Sequence, residues 1–272
     1  MHTSVGSPHY THGSDENSFE RYELFNDVLL PATQQGISSL PQRADMKVLE
    51  VGCGIGDTAC YFAQEVCPEG HVTAFDISKE LLAVGRKNAE ERGIQNISFV
   101  CADAFDFDYA EEHYDLIHTR CVLIHLRDPA TIVSKIYKAL KPSGWLFVEE
   151  EYTPVRGSAN ELWQKRFVVW LEQIVRSGGG HPFFTRRHLP DLMASIGFQD
   201  IRAENFVFTP DQEKYFKMIS LALSRELKAG LIQEEIASEN VVEQMLQMFK
   251  SIDTSISNQT INMPQVFGSK PE

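Results

Sequence analysis

The segment Val48-Leu49-Glu50-Val51-Gly52-Cys53-Gly54-Ile55-Gly56-Asp57-Thr58-Ala59 constrains this chain more than any other. An apolar run containing an acid passes through three alternating glycines and opens into an apolar, helix-like stretch. That pattern reads as a buried strand, a tight turn and a helix N-terminus. Glycine suits the turn because the backbone bends sharply there and a ligand must approach it closely. The free N–H groups and the positive dipole end of the following helix favour a negatively charged ligand group.

Spacing separates the nucleotide-type cofactors that such a turn accepts. A dinucleotide fingerprint, Gly-x-Gly-x-x-Gly, requires a glycine at position 57. Asp57 stands there instead. Its carboxylate would repel a pyrophosphate, which disfavours NAD and FAD and with them a nicotinamide reductase.

Further along, His71-Val72-Thr73-Ala74-Phe75-Asp76-Ile77-Ser78 reads as a second strand ending in an acid. A carboxylate at that tip accepts hydrogen bonds from both hydroxyls of a ribose. Ser78 is the expected N-cap of a helix over 79–92. A third strand, 97–101, leads into Ala102-Asp103-Ala104-Phe105. A fourth, 114–118, continues through Arg120 and Cys121 to His125. After a helix over 130–140, Leu140-Lys141-Pro142-Ser143-Gly144 introduces a fifth apolar strand ending in Glu149-Glu150-Glu151.

The pattern Glu-x-Gly-x-Gly-x-Gly, followed in order by Asp76, Asp103 and Leu-Lys-Pro-x-Gly, resembles the class I S-adenosylmethionine (SAM) methyltransferases. Within them it resembles the broad group containing ubiquinone/menaquinone-biosynthesis and natural-product small-molecule methyltransferases. The resemblance spans most of residues 19–270. It implies an α/β fold: a doubly wound, Rossmann-like seven-stranded sheet of order 3-2-1-4-5-7-6, last strand antiparallel, with helical lid insertions. It also implies SAM as cofactor, contacted by Glu50, Gly52, Cys53, Gly54, Gly56, Asp76, Ile77, Asp103, Ala104 and Arg120. In that reading the turn takes the amino-acid tail, Asp76 the ribose and Asp103 the adenine amine. Arg120 orients the SAM carboxylate or an acid in the loop.

Residues 1–15, which include His2, His9 and His12, are expected to form a disordered, solvated tail. Residues 16–272 read as a single SAM-methyltransferase domain. N-terminal helices occupy 16–42, one of them ending before Pro31, and the cofactor-binding core runs from 43 to 156. Helical additions at 157–190 and 210–255 are expected to cover the substrate pocket. Their helices are read over 158–176, 186–195 (capped by Thr185, closed by Gly197), 212–228 and 232–252. Strands are expected from Phe198 to Phe208 and over 261–267.

Methyl transfer needs an acceptor atom aligned about 3 Å from the methyl carbon, with water excluded. A phenol or carbon acid also benefits from a general base. His125, His181 and Glu150, the last within the Glu149–Glu151 run, are the candidates for that role. Tyr22, Tyr152, Trp163, Trp170, Phe183, Phe184, Met245 and Phe249 are the expected pocket lining, which favours a small, partly apolar or aromatic metabolite. The competing reading is a SAM-fold protein repurposed as a binding subunit or a non-methylating cyclase.

Lysine and arginine total 25 against 38 acids, a net charge of −13, without the basic footprint of nucleic-acid binding. The Asn/Asp-Pro-Pro-Tyr and Pro-Cys motifs of nucleic-acid methyltransferases do not occur. The expected partner is therefore a small-molecule acceptor, to a monomer or homodimer. With no apolar run of membrane-helix length and no signal-peptide core, the expected location is cytoplasmic. Cys53, Cys60, Cys67, Cys101 and Cys121 read as reduced, buried thiols, and no metal is indicated.

Overall fold

The computed structural model describes residues 16–150, 153–156 and 161–272. The expected tail at 1–15 and Tyr152 lie outside the described residues.

Eight strands form one sheet: β1 (Lys47–Val51), β2 (His71–Asp76), β3 (Ile97–Cys101), β4 (Tyr114–Arg120), β5 (Leu140–Glu149), β6 (Thr153–Arg156), β7 (Gln199–Phe208) and β8 (Thr260–Ser269). The path runs β3-β2-β1-β4-β5-β8, with β7 outside β8. The first five are mutually parallel, and β8 runs antiparallel to its neighbours. Short β6 pairs with β8 at Asn262 and Ile261, beyond β5's pairing of Glu149 with Gln265. It prolongs β5 along the same edge, so the sheet has the expected seven positions in the expected order.

The central strands read as continuous apolar runs because helices cover both sheet faces. On one side Val48, Phe62, Leu116, Phe147 and Phe267 are buried together. On the other, Leu49, Ile117, Leu146, Ile132 and Ile136 pack with Met193. Flanking the sheet are α2 (Asp57–Tyr61), α3 (Lys79–Glu91) and α4 (Pro129–Ala139). Ser78 Oγ accepts from Leu81 N at 3.2 Å and Asp128 caps α4, so both starts follow from local chemistry. Strand order reverses about β1: the chain leaves it toward β2 and β3 on one side and β4 and β5 on the other. A crevice at the carboxyl ends of β1 and β4 is the usual ligand position in such a sheet.

A third apolar core is made by the helical additions. It joins α1 (Glu16–Ser38), α5 (Glu161–Ser177), α8 (Gln212–Leu221) and α10 (Glu239–Lys250) over Ile261 and Met263 of β8. In chain order between α5 and α10 come α6 (Phe184–Arg187) and α7 (Leu189–Ile196), which pack on the sheet face with α4, and α9 (Lys228–Gln233).

Five local expectations are corrected. Helix α1 continues through Pro31, which sits on its exposed side, because Val28 and Leu29 before it and Ala32 and Ile37 after it are all buried. The predicted helix 186–195 is two helices broken at His188, where Pro190 opens the second. Thr185 is buried inside α6 and does not cap it, whereas Gly197 closes α7 with φ of 116° as expected. The 232–252 segment is not one helix: Ile232 and Gln233 end α9, and α10 begins only at Glu239. Finally, Cys53, Cys60 and Cys67 are buried free thiols, but Cys101 is exposed on the sheet's edge strand β3 and Cys121 is half-buried.

Candidate active site

A cavity of about 860 Å³ opens over the carboxyl ends of β1, β2 and β4 and beneath α1 and α5. Its floor is the β1–α2 turn. Cys53 N donates to Phe75 O at 2.9 Å, which ties the turn to β2. Gly54 has φ of 55°, and a Cβ there would point at the Tyr22 ring 3.7 Å away, so its bare backbone leaves space inside the cavity. Gly52 and Cys53 also line it. Gly56 does not. A Cβ at Gly56 would stand 2.5 Å from Phe99 Cε1 and 3.4 Å from Gly85 Cα, so this glycine serves helix packing and is removed from the contact set.

Asp76 ends β2 inside the cavity, 4% exposed. Its Oδ2 accepts from Gly54 N and its Oδ1 from Ser78 N, each at 2.9 Å. Burial raises its pKa, and these backbone donors oppose the rise without cancelling it. One carboxylate thus joins the turn to the second strand and retains acceptor lone pairs for a ligand. Ile77, Asp103 and Ala104 line the neighbouring wall, with Asp103 Oδ1 accepting from Phe105 N at 2.8 Å. Asp57 also reaches the cavity, paired with Arg92 at 2.5 Å. Burial still holds its carboxyl above the usual range.

Glu50 is 3% exposed and borders the cavity, with Oε2 lacking any hydrogen-bond partner. A buried carboxylate oxygen in that state is costly, and a cationic ligand group would satisfy it. Arg120 lines the same end and donates to Thr33 Oγ1 at 3.0 Å and Asn26 Oδ1 at 3.1 Å, both on α1. An acidic acceptor, a glycine cradle, a strand-tip aspartate and a guanidinium therefore suit a zwitterionic amino-acid tail and a nucleoside.

Of the three candidate bases, only His125 borders the cavity, on the short helical turn Leu123–His125 after β4. His181 is exposed and directs Nε2 to Arg127 O at 3.0 Å, so the structure takes it away from the cavity. Glu150 is fully buried, and its Oε1 accepts from Val122 N at 2.9 Å and Leu123 N at 2.7 Å. It anchors the loop that carries His125 and does not line the cavity.

The expected acceptor lining is corrected in the same way. Tyr22 and Phe183 line the cavity. Trp170, Met245 and Phe249 are buried in the core between helices, and Trp163 packs against that core. Phe184 packs with the sheet-face cluster. The apolar roof is instead made by Phe25, Phe167, Leu171, Ile174, Met218 and Leu227. Helix α5 is apolar on two adjacent sides, one packed inward and one facing the cavity. The signal for the second was Glu172, a lone acid among cavity-facing Val168, Leu171 and Val175. Burial holds its carboxyl above the usual range. Among the described residues no group of three metal-ligating side chains occurs, and no helix is long and apolar enough to cross a membrane.

Fold and site together define a class: a doubly wound α/β enzyme binding a nucleoside-bearing cofactor at the strand switch point, beneath a helical cap. Residues 42–176 match the model of a methyltransferase domain family. Demethylmenaquinone methyltransferase of Geobacillus sp. is 23% identical over 215 residues, 71% of this chain and 90% of that protein. The ubiquinone/menaquinone biosynthesis C-methyltransferase of Psychromonas ingrahamii is 33% identical over 141 residues. That match covers 50% of this chain, which spans only 56% of the relative. In fold the chain is similar to Haemonchus contortus phosphoethanolamine N-methyltransferase 2 in complex with S-adenosyl-L-methionine, with a TM-score of 0.64 at 20% identity. That likeness covers 99% of this chain and 61% of that one. Residues 42–176 thus form a methyltransferase domain, in a fold and site similar to those of the class I SAM-dependent methyltransferases.

Proposed function

We propose that this enzyme methylates a small acceptor with an aromatic or otherwise apolar body, of the quinol or phenol kind. The observation that carries this reading is the division of the cavity. Carboxylates and bare backbone gather over β1 and β2, while the roof of α1, α5 and α8 is aliphatic and aromatic. The two curated quinone-pathway relatives support the same acceptor class.

SAM supplies an electrophilic methyl group on a positively charged sulfur, so the protein has only to align the acceptor and exclude water. Glu50 would hold the cofactor's ammonium, Arg120 its carboxylate, Asp76 the ribose and Asp103 the adenine. Apolar contacts with Phe25, Phe167 and Phe183 would orient the acceptor ring. His125 would accept the acceptor's proton, a role its imidazole suits near neutral pH. Residues 16–272 would act as one catalytic unit in the cytoplasm.

The test is S-adenosylhomocysteine (SAH) formation, read by mass spectrometry, with SAM and dithionite-reduced 1,4-naphthoquinone, 2-naphthol and phosphoethanolamine as separate probes. Turnover of either aromatic probe above that of phosphoethanolamine supports the reading. SAM binding without SAH formation on any probe favours the binding-subunit or cyclase alternative. Preferential turnover of phosphoethanolamine overturns the aromatic acceptor class.

A further inference from the structure

Beneath the cavity the sheet carries a row of polar residues in a place where apolar ones are expected. Glu50, His118 and Phe147 are neighbours in register across β1, β4 and β5. Two residues further along the same face, Arg120 lies beside Glu149, and Glu149 beside Gln265. Helix α1 lies directly on this face, since a Cβ at Gly36 would overlap the Phe147 ring at 2.3 Å.

His118 is fully buried, and both its ring nitrogens face carboxylates. Nε2 stands 3.1 Å from Glu149 Oε2, and Nδ1 stands 3.7 Å from Glu50 Oε1. A neutral imidazole carries one N–H and would turn its bare nitrogen toward one of the two acids. Only the imidazolium presents an N–H to each acid: Nε2 at hydrogen-bond distance from Glu149, and Nδ1, which has no hydrogen-bond partner, in a longer charge contact with Glu50. The ring's other neighbours are Phe62, edge-on at 5.0 Å, and Phe147 at 5.1 Å. Arg120, on the same strand, is a further charged group acting on this cluster. Burial alone would lower the His118 pKa, but the paired acids raise it above the usual value. The Glu149 carboxyl is correspondingly held below its usual range despite burial.

From Glu149 the connections pass to α1. Thr33 Oγ1 donates to Glu149 Oε2 at 2.5 Å, and Gln265 Nε2 donates both to Glu149 Oε1 at 3.0 Å and to Ala32 O at 2.8 Å. Arg120 completes the connection through Thr33 and Asn26. The N-terminal half of α1 supplies Tyr22, Phe25 and Asn26 to the cavity wall. Polar groups thus run from the cavity-facing carboxylate of Glu50 to the helix above it, hydrogen-bonded from His118 onward and joined to Glu50 by a 3.7 Å charge contact.

We propose that His118, carried as an imidazolium, is a positioning residue that ties the cofactor-facing Glu50 to helix α1, so that cofactor binding and the seating of α1 over the cavity form one event. The inference rests on the reading of Glu50 as a contact of the cofactor. In it, His118 touches neither cofactor nor acceptor. It aims Glu50 at the cavity and holds Glu149 ionised, which gives that carboxylate its charge to hold Thr33.

The test uses the full chain with SAH as the probe. Long-range nitrogen–proton spectra of the histidine rings, with His118→Gln identifying the resonance, report the protonation state directly. Both His118 nitrogens protonated at neutral pH is the expected result, and a neutral tautomer overturns the proposal. Calorimetric titration should show SAH binding weakened about tenfold or more in His118→Gln and by roughly threefold to tenfold in Thr33→Val. Thr33→Val removes a hydroxyl that lines no part of the cavity, and it decides the matter if His118→Gln does not fold. Hydrogen exchange along α1 should slow when SAH binds the wild type and respond less in Thr33→Val. SAH affinity and α1 exchange that Thr33→Val leaves unchanged overturn the inference alone. Failure of the wild type to bind SAH sinks the cofactor reading and the inference with it.

Discussion

At the scale of single residues, two buried carboxylates have opposite assignments although both sit at strand ends. Asp76 borders the cavity with its oxygens shared between backbone donors and open space. In Asp76→Asn, one amide N–H group would meet a backbone N–H donor, and the ribose contact would lose its charge. SAH affinity should fall by about 1.5–3 kcal/mol, the range for hydrogen bonds to a charged group, as measured by calorimetry. Glu150, by contrast, holds the loop before His125 through two backbone amides. Glu150→Ala should cost ~1–3 kcal/mol of stability, read by urea unfolding, for amides left buried without an acceptor. It should lower the methylation rate and leave the shape of its pH profile unchanged, because the proposed proton acceptor is His125. His125→Ala should instead lower the rate by about 10²–10⁴ and remove the limb of the profile that the imidazole sets. A Glu150→Ala profile that loses that same limb would return Glu150 to the chemistry.

At the scale of elements, the glycine turn and the five parallel strands were legible because their signals are local. A turn that needs positive φ, a strand buried on both faces and a serine before a helix each leave a mark within a few residues. The cap was legible only as helices. Trp170 and Phe249 look no different in sequence from Phe167 and Leu171, yet the first pair packs inward and the second lines the cavity. What separates them is the rotation of α5 against α8 and α10, which depends on contacts far apart in the chain. Phe249→Ala should therefore destabilise the fold by about 3–5 kcal/mol with the loss of a core ring. Phe167 bears on both, as a core member that reaches the cavity. Pro31 misled for a related reason: its local penalty is real, but the buried residues on both sides hold α1 together. Since Pro31 is exposed, Pro31→Ala should restore a helical hydrogen bond and raise the thermal midpoint, with a ceiling of about 3 kcal/mol.

At the scale of the whole molecule, the His118 pair predicts how stability depends on pH. A histidine with a raised pKa contributes stability fully below its unfolded value, near 6.5, and that contribution is lost as pH rises through the folded value. Glu149, with a depressed pKa, contributes above its unfolded value of 4.5 and loses the contribution as pH falls through the folded one. Urea unfolding of the wild type minus that of His118→Gln should thus shrink on raising the pH above 6.5 and also on lowering it below 4.5. A difference independent of pH would remove the ion pair from the account of stability. Sequence alone determined the parallel core, the order of its strands through family resemblance, the glycine turn and the acids at the strand tips, because chain geometry demands particular residues there. Tertiary structure decided which cap aromatics face the cavity, that Glu150 holds a loop, that His181 turns away, and that His118 stands between Glu50 and Glu149. Those outcomes depend on how distant segments pack, and the same residue types serve a core, a wall or a buried ion pair equally well until the packing chooses among them.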